Sequence, residues 1–102
     1  MINQLLLDHL PKINSLFRKH KVKKGYAFGS VCTPSFSNTS DVDLLIDFEE
    51  NLDPLEEGES WWILYYELEK ILNRPIDLVT EKSLRNPYLI EEINEKRELI
   101  YG

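Results

Sequence analysis

The chain has 102 residues, of which 42% are hydrophobic and 29% are charged, with four Gly and five Pro. This composition is ordinary for a globular domain and excludes collagen-like and disordered chains. A chain of this length can bury only one modest core, so we expect a single domain over residues 1–102. An enzyme of this size would need part of its site, or its substrate, from another molecule.

The formal net charge of −6 hides two opposite halves. Residues 1–40 carry six basic side chains and one acidic, whereas residues 41–102 carry six basic and 17 acidic. Nine carboxylates and no cation lie between Asp41 and Ser60. Because a nucleic-acid-binding face needs a sustained basic surface, this balance disfavours direct nucleic-acid binding.

Cys32 is the single cysteine, so the chain cannot form an internal disulfide. The first residues lack the basic segment of a secretory signal, and no apolar run approaches the roughly 20 residues that cross a bilayer. These features predict a cytoplasmic protein that does not span a membrane.

An amphipathic helix is predicted at the start of the chain. Apolar residues recur at three- and four-residue steps from Ile2 to Phe17, and Pro11 must either start or kink this helix. The basic run over residues 18–24 follows. Cations interact well with the negative end of a helix dipole, so we interpret the run as a solvated helix end, with a nucleotide or RNA contact as the alternative. Gly25 is the predicted stop signal.

Two strands and a polar loop are predicted next. Residues 26–28 form a short apolar strand that ends at Gly29 and Ser30. Residues 31–40 are rich in Ser, Thr, Asn and Pro and predict a loop with room for one helical turn. The run VDLLIDF over residues 42–48 is β-branched and apolar enough for a buried strand.

The second half predicts two further helices and one strand. Residues 49–59 indicate an acidic loop, and Ser60 can cap a helix over residues 61–72. Residues 76–80 read IDLVT, a third strand, and Asn86-Pro87 opens a helix that runs to about Lys96. The order of elements indicates an α/β or α+β domain on a small three-stranded sheet.

Three aspartates stand out as candidate ligands. Asp41 and Asp43 point to the same face of a strand with Cα atoms about 7 Å apart, so their carboxylates can converge on one cation. Asp77 lies inside an apolar strand, where a carboxylate is costly unless it is paired or bound to metal. Oxygen ligands suit Mg²⁺ or Mn²⁺, and two such ions can steady the attacking and leaving oxygens of an in-line displacement.

Gly29 and Ser30 supply a matching phosphate site. A Gly at a strand end lets a phosphate approach the backbone closely, and the Ser hydroxyl and N–H can bind an anion. Gly-Ser alone is a weak signal. Together with Asp41 and Asp43 eleven and thirteen residues after the Ser, and with Asp77 beyond one helix, it becomes specific.

This arrangement, GS, ten residues, DVDLLI and then PIDLVT, resembles the nucleotidyltransferase superfamily that includes DNA polymerase beta, and most closely its minimal single-domain (MNT) group. The resemblance covers nearly the whole chain. It implies the nucleotidyltransferase fold, with a small three-stranded mixed sheet flanked by about four helices. It further implies that Gly29 and Ser30 bind the nucleotide, and that Asp41, Asp43 and Asp77 form a catalytic site for ATP and two Mg²⁺ or Mn²⁺ ions.

One departure from the pattern concerns the loop after Ser30. Members of this superfamily usually carry Arg and Gly where this chain has Thr33 and Pro34, so a cation near the phosphates is missing. Asp47 shares the strand face of Asp43, and we interpret it as an ordinary strand-end carboxylate. Cys32 lies near the motif without a base beside it and is interpreted as a structural thiol.

The resemblance implies two alternative functions. Because no second domain holds an acceptor, the first is transfer of AMP from ATP to a hydroxyl, a Tyr in particular, of a partner protein. MNT proteins are commonly antitoxins whose partners are HEPN ribonuclease toxins. The second function is therefore neutralisation of such a toxin by binding and occlusion. We expect the nine carboxylates between Asp41 and Ser60 to steer a basic partner toward the site. We expect that partner to contact the loop over residues 49–62 and the aromatic start of the helix that follows.

Overall fold

The computed structural model describes residues 2–102. Within them, seven main elements follow in chain order: α1 (Gln4–Lys19), β1 (Val22–Phe28), β2 (Val42–Phe48), α2 (Pro54–Leu72), β3 (Ile76–Thr80), α3 (Pro87–Lys96) and β4 (Glu98–Tyr101). Two short 3-10 helices, Gly29–Cys32 and Glu81–Ser83, follow β1 and β3. None of the helices in residues 2–102 is long and apolar enough to cross a membrane.

The four strands form one mixed sheet in the order β3-β2-β1-β4. Strand β1 is antiparallel to both β2 and β4, whereas β2 and β3 are parallel, because α2 carries the chain back between them. The predicted α+β architecture is confirmed. The predicted number of strands was one too few, and three α-helices stand where about four were expected.

Strand β4 is the element that the sequence prediction missed. The chain leaves the helical conformation at Arg97, and the following residues pair with β1, Tyr101 opposite Gly25 and Leu99 opposite Tyr26. Ile100 is buried in the core, and the Tyr101 ring packs edge-on against Phe17 at 5.7 Å. A four-residue strand gains most of its stability from such packing, which local propensity does not record.

Helix α1 differs from its prediction at both ends. Asn3 caps it by accepting a hydrogen bond from the Leu5 N–H at 2.9 Å, and the helix continues through Pro11, which therefore does not start it. Lys21, in the left-handed conformation with φ of 60°, ends the helical path. Gly25 is not the stop signal but lies inside β1, where a Cβ would come within 2.7 Å of the Phe17 ring.

Helix α2 begins well before the predicted cap at Ser60. Asp53 accepts a hydrogen bond from the Glu56 N–H at 3.0 Å, and Pro54 occupies the first turn. Glu56 and Glu57 also lie in that first turn, where carboxylates interact favourably with the helix dipole. The predicted acidic loop over residues 49–59 is therefore wrong from Pro54 onward.

The two faces of the sheet are covered differently. Helices α1 and α2 pack on one face over a large cluster of buried apolar side chains that includes Leu44. Helix α3 covers the other face through Ile93, which packs with Phe28 and Leu45 in a small cluster. Asp43 and Asp77 alternate with the residues of the large cluster, so both point to the face of α3.

Candidate active site

Three aspartates meet on the thinly covered face of the sheet. In the parallel pairing of β2 with β3, Asp43 lies directly opposite Asp77. Asp41 shares the parity of Asp43, and the Val42 N–H donates to the Pro75 carbonyl at 3.0 Å, which ties the start of β2 to β3. Asp43 is half-buried, whereas Asp41 and Asp77 are exposed. The structure thus places all three predicted carboxylates at the N-terminal end of the parallel strands β2 and β3.

Gly29 lies against Asp43. The residue before it, Phe28, pairs with Asp43 across β1 and β2. Gly29 has φ of +71°, and a Cβ there would overlap Asp43 Oδ2. Only Gly provides both the left-handed backbone and the space at this position. The nucleotide-binding candidate and the central carboxylate are therefore adjacent.

The loop after Gly29 is shaped by its own hydrogen bonds. Ser30 lies in the short 3-10 helix, and its carbonyl accepts from the Thr33 N–H at 2.9 Å and from Thr33 Oγ1 at 3.0 Å. Thr33 Oγ1 also accepts from the Ser35 N–H at 3.2 Å. Thr33 thus closes the turn, a structural role that does not replace the charge of an Arg at that position.

Burial and like charge perturb Asp43. Burial, followed by the neighbouring carboxylates of Asp77, Asp41 and Glu92, raises the pKa of Asp43 from 3.8 to about 6. Three neighbouring carboxylates therefore oppose the ionisation of this half-buried group. A carboxylate raised in this way is characteristic of sites that bind a counter-ion or carry out proton chemistry.

Sequence reasoning missed Glu92. This residue precedes Ile93, the side chain through which α3 packs on Phe28 and Leu45. Helix α3 contains several glutamates. The spacing of apolar residues indicates which side of the helix faces the core, but it does not indicate which of these carboxylates lies near β2.

The donor set suits a hard divalent cation. Carboxylate oxygens are the preferred protein ligands of Mg²⁺ and Mn²⁺, and the absence of a side chain at Gly29 lets the Asp43 carboxylate lie against the backbone there. In residues 2–102, no three side chains of His, Cys, Asp or Glu already stand at coordinating positions. The residues fit by donor chemistry and by strand register, while the carboxylates would still have to rotate onto an ion.

Arg74 fixes the loop that leads to Asp41. Its guanidinium donates to the carbonyls of Ser37 and Ser40 at 3.0 and 3.1 Å. It also lies 4.6 Å from the centre of the Phe36 ring. These partners are more than thirty residues away in the chain, so the sequence marked Arg74 only as part of a helix end.

The other residues that the sequence singled out lie elsewhere or behave differently. Burial and a hydrogen bond with Glu98 raise the pKa of the Cys32 thiol to about 11, the opposite of what a nucleophile needs. Asp47 is four residues along β2 from Asp43, about 13 Å away in a strand. The basic run lies at the other end of β1 from Gly29, where Lys23 pairs with Glu50 at 3.2 Å.

A comparison with protein families decides the assignment. A family model described as polymerase beta, nucleotidyltransferase matches residues 11–102. This chain therefore belongs to the polymerase beta nucleotidyltransferase family. It is a member of a family of enzymes, and the predicted fold and enzyme class are confirmed.

Relatives in Methanocaldococcus jannaschii are named as candidate protein adenylyltransferases. One is 38% identical over 100 residues, which cover 90% of this chain and 96% of the relative. A second is 35% identical over 100 residues, which cover 98% of this chain and 93% of that relative. The match therefore extends over nearly the full length of both proteins.

Solved structures share the fold. A structure described as a candidate minimal nucleotidyltransferase is 30% identical, with a TM-score of 0.73, and covers 96% of this chain and 95% of that one. A chain of a toxin-antitoxin crystallised with AMP-PNP is 25% identical, with a TM-score of 0.72 over 91% of this chain and 73% of that one. A third match, at 23% identity and a TM-score of 0.66, covers 94% of this chain and 71% of a chain from a tri-AMPylated Shewanella oneidensis HEPN toxin in complex with its MNT antitoxin.

Proposed function

We propose that this nucleotidyltransferase is an antitoxin that transfers AMP from ATP to a hydroxyl, a Tyr hydroxyl in particular, of a HEPN-type ribonuclease toxin. The observation that carries the proposal is the placement of Asp43 opposite Asp77 and against Gly29. The names of the relatives and the toxin-antitoxin structures of the same fold support the acceptor class. Residues 1–102 would act as one domain, in the cytoplasm where ATP is available.

Gly29 and Ser30 would bind the triphosphate. Gly29 has no side chain and lies against Asp43, and the Ser30 hydroxyl and N–H follow it directly in the chain. Asp41, Asp43 and Asp77 would hold two Mg²⁺ or Mn²⁺ ions. Such ions, when bound, offset the negative charge of the phosphates and of the three carboxylates.

The reaction would be an in-line displacement at the α-phosphorus of ATP. The acceptor hydroxyl oxygen forms a new bond to that phosphorus, and the bond to the oxygen that bridges the α- and β-phosphates breaks. Pyrophosphate leaves with the electron pair of the broken bond, and the hydroxyl proton passes to a carboxylate or to water. The protein contributes position and charge, which dominate catalysis of phosphoryl-type transfers.

A second candidate function is occlusion without transfer. Thr33 stands where the family usually carries an Arg, and its hydroxyl is used to close the turn after Ser30. No guanidinium from that loop is therefore available to the phosphates. A chain that binds its toxin tightly would still block the ribonuclease if transfer were slow.

The experiment is transfer of label from ATP. The chain is incubated with the HEPN-type protein encoded beside it, Mg²⁺ or Mn²⁺, and ATP labelled at the α-phosphate, and the partner is analysed by intact mass. We expect added AMP with the wild-type chain. Asp43→Asn and Asp77→Asn should each lower the rate more than about 100-fold, because even residues that only orient metal ligands are worth 10- to 100-fold.

Asp47→Asn is the matched control for Asp43→Asn. It removes the same charge from the same strand and face, but about 13 Å from Asp43, so transfer should be preserved. If the wild-type chain adds no AMP with either metal and yet inhibits the ribonuclease, the transfer proposal is wrong and occlusion is the function. Equal loss in all three variants would contradict the site assignment.

A further inference from the structure

Helix α2 carries apolar side chains on its outward side as well as on its inward side. Leu64, Leu68 and Leu72 are buried against the sheet and α1. Four large apolar residues on the opposite side are exposed and define what we call the outward stripe: Leu55, Trp62, Ile63 and Tyr66. The stripe is about 16 Å long at the rise of an α-helix. A surface helix normally presents polar residues on this side.

The aromatic rings of the outward stripe pack against neighbouring rings rather than into the core. The rings of Trp62 and Tyr66 stack at 5.8 Å, although both residues remain more than half exposed. Trp61 braces Trp62 through an edge-on contact at 4.9 Å, and Tyr65 braces Tyr66 at 5.6 Å. Rings that are held in place before binding lose little conformational entropy on association, which is the property of an interface anchor.

Side chains beside the stripe reach the edge of the sheet at β3. The Trp61 indole N–H donates to the Leu78 carbonyl of this edge strand at 3.1 Å. Glu69 foremost, and Asp41 among the smaller causes, raise the pKa of Tyr65, which stacks on Trp61 at 5.3 Å. Helix α2 and the candidate active site lie on opposite faces of the sheet, so an acceptor seated on the stripe would reach the site around this edge.

The charges around the stripe select the class of occupant. Helix α2 contains five glutamates and one lysine, and three of the glutamates pair with lysines, Glu56 with Lys21, Glu57 with Lys82 and Glu67 with Lys70. The helix keeps a surplus of negative charge, which would repel RNA or a free polyphosphate and disfavours two copies of this chain meeting stripe to stripe. An apolar centre within an acidic rim is complementary to a protein whose surface is apolar at its centre and basic around it.

From these observations we infer that the outward stripe is the docking surface for the acceptor protein, and that the acceptor meets it with an apolar patch surrounded by Lys and Arg. This inference rests on the proposed function for the identity of the acceptor. It refines the sequence-based expectation of a contact through the 49–62 loop and the aromatic start of the following helix, since residues 54–62 already belong to α2.

The test measures complex formation in the absence of nucleotide, with the HEPN-type protein encoded beside this chain. Trp62→Ala combined with Tyr66→Ala should weaken binding roughly 30-fold, mainly through faster dissociation. The matched control is Tyr88→Ala combined with Leu89→Ala, which removes two exposed apolar side chains from α3 instead. The control should change the affinity less than about threefold, because most surface contacts outside an interface core contribute little.

A second variant tests the rim. Glu59→Lys should slow association and flatten its dependence on salt, with dissociation nearly unchanged. Circular dichroism and the thermal shift with Mg²⁺ and ATP verify that each variant is folded and binds nucleotide.

Several outcomes would overturn the inference: unchanged affinity in the Trp62 and Tyr66 variant, an equal loss in the α3 control, or a self-association that the Trp62 and Tyr66 variant abolishes. The same measurement in an Asp43→Asn background tests docking without transfer. In the wild-type chain, binding that depends on the stripe while no AMP is added supports the docking surface and contradicts transfer. AMP addition while binding does not depend on the stripe contradicts docking alone.

Discussion

One face of the sheet carries most of the apolar core, and the other face carries the candidate active site. On the face of α1 and α2, side chains from both helices and all four strands close into one large apolar cluster. On the face of α3, the buried cluster is Phe28, Leu45 and Ile93, and the strand positions beside it are Asp43 and Asp77. The same strand thus supplies Leu44 to one face and Asp43 to the other.

This difference shows how a chain of 102 residues accommodates a polar site. A small domain buries too little apolar surface to tolerate carboxylates inside its core. The chain places them on the thinly covered face, where Asp43 is only half-buried and Asp77 is exposed. Stability must then come mainly from the opposite face.

The largest expected effect compares adjacent leucines on the two faces. Leu44 and Leu45 are both fully buried, but Leu44 belongs to the large cluster and Leu45 to the small one. Leu44→Ala should lower the free energy of unfolding by about 4 kcal/mol, and Leu45→Ala by about 2.5 kcal/mol, since α3 can settle into the smaller gap. Urea denaturation of both variants measures the difference. A larger loss for Leu45→Ala would reverse the proposed division.

The second prediction compares two glycines. Gly29→Ala should lower the free energy of unfolding by about 2 kcal/mol, because Ala is strained at positive φ and its Cβ would overlap Asp43. It should also abolish the thermal shift with Mg²⁺ and ATP. Gly58 is the control: a Cβ there meets open space inside α2, so Gly58→Ala should stabilise the chain by about 0.5 to 1 kcal/mol. Thermal unfolding of the two variants in parallel measures these changes in stability. If Gly29→Ala left the stability unchanged, the close contact between Gly29 and Asp43 would be contradicted.

The smallest expected effect is the destabilisation of the folded protein by the ionised Asp43 carboxylate. Because the pKa of Asp43 is raised to about 6 in the folded protein, the unfolded chain loses the proton first, and stability falls as pH rises from about 4 to about 6. Asp43→Asn should therefore stabilise the ligand-free protein at pH 7.5 by about 1 kcal/mol, after allowance for solvent screening of a half-exposed group.

Thermal unfolding of wild type and Asp43→Asn at a series of pH values tests this cost. The two proteins should converge below about pH 4, where the carboxyl group is protonated in both states. If Asp43→Asn were less stable than wild type at pH 7.5 without metal, the Asp43 carboxylate would have a stabilising partner, and repulsion by its neighbours would not dominate.

The sequence by itself determined the two parallel strands and the candidate site. Strands β2 and β3 and the Asn86 cap of α3 lie where patterns predicted them, because apolar β-branched runs and Asn-Pro are strong local signals. The spacing of Gly29, Asp41, Asp43 and Asp77 indicated one site, and parallel pairing places Asp43 opposite Asp77. Their catalytic roles remain a prediction.

Only the tertiary structure decided the rest. Strand β4 forms because Ile100 packs in the core and Tyr101 packs against Phe17. Helix α2 begins at Pro54 because Asp53 caps it, although the Pro and Gly of this segment are typical of a loop. Glu92 and Arg74 act on residues that are 49 and 34 to 37 positions away, a distance that no local pattern spans. The outward stripe could also be identified only from the fold. Apolar residues lie on every side of α2 in the sequence, and only the packing against the sheet shows which of them are buried.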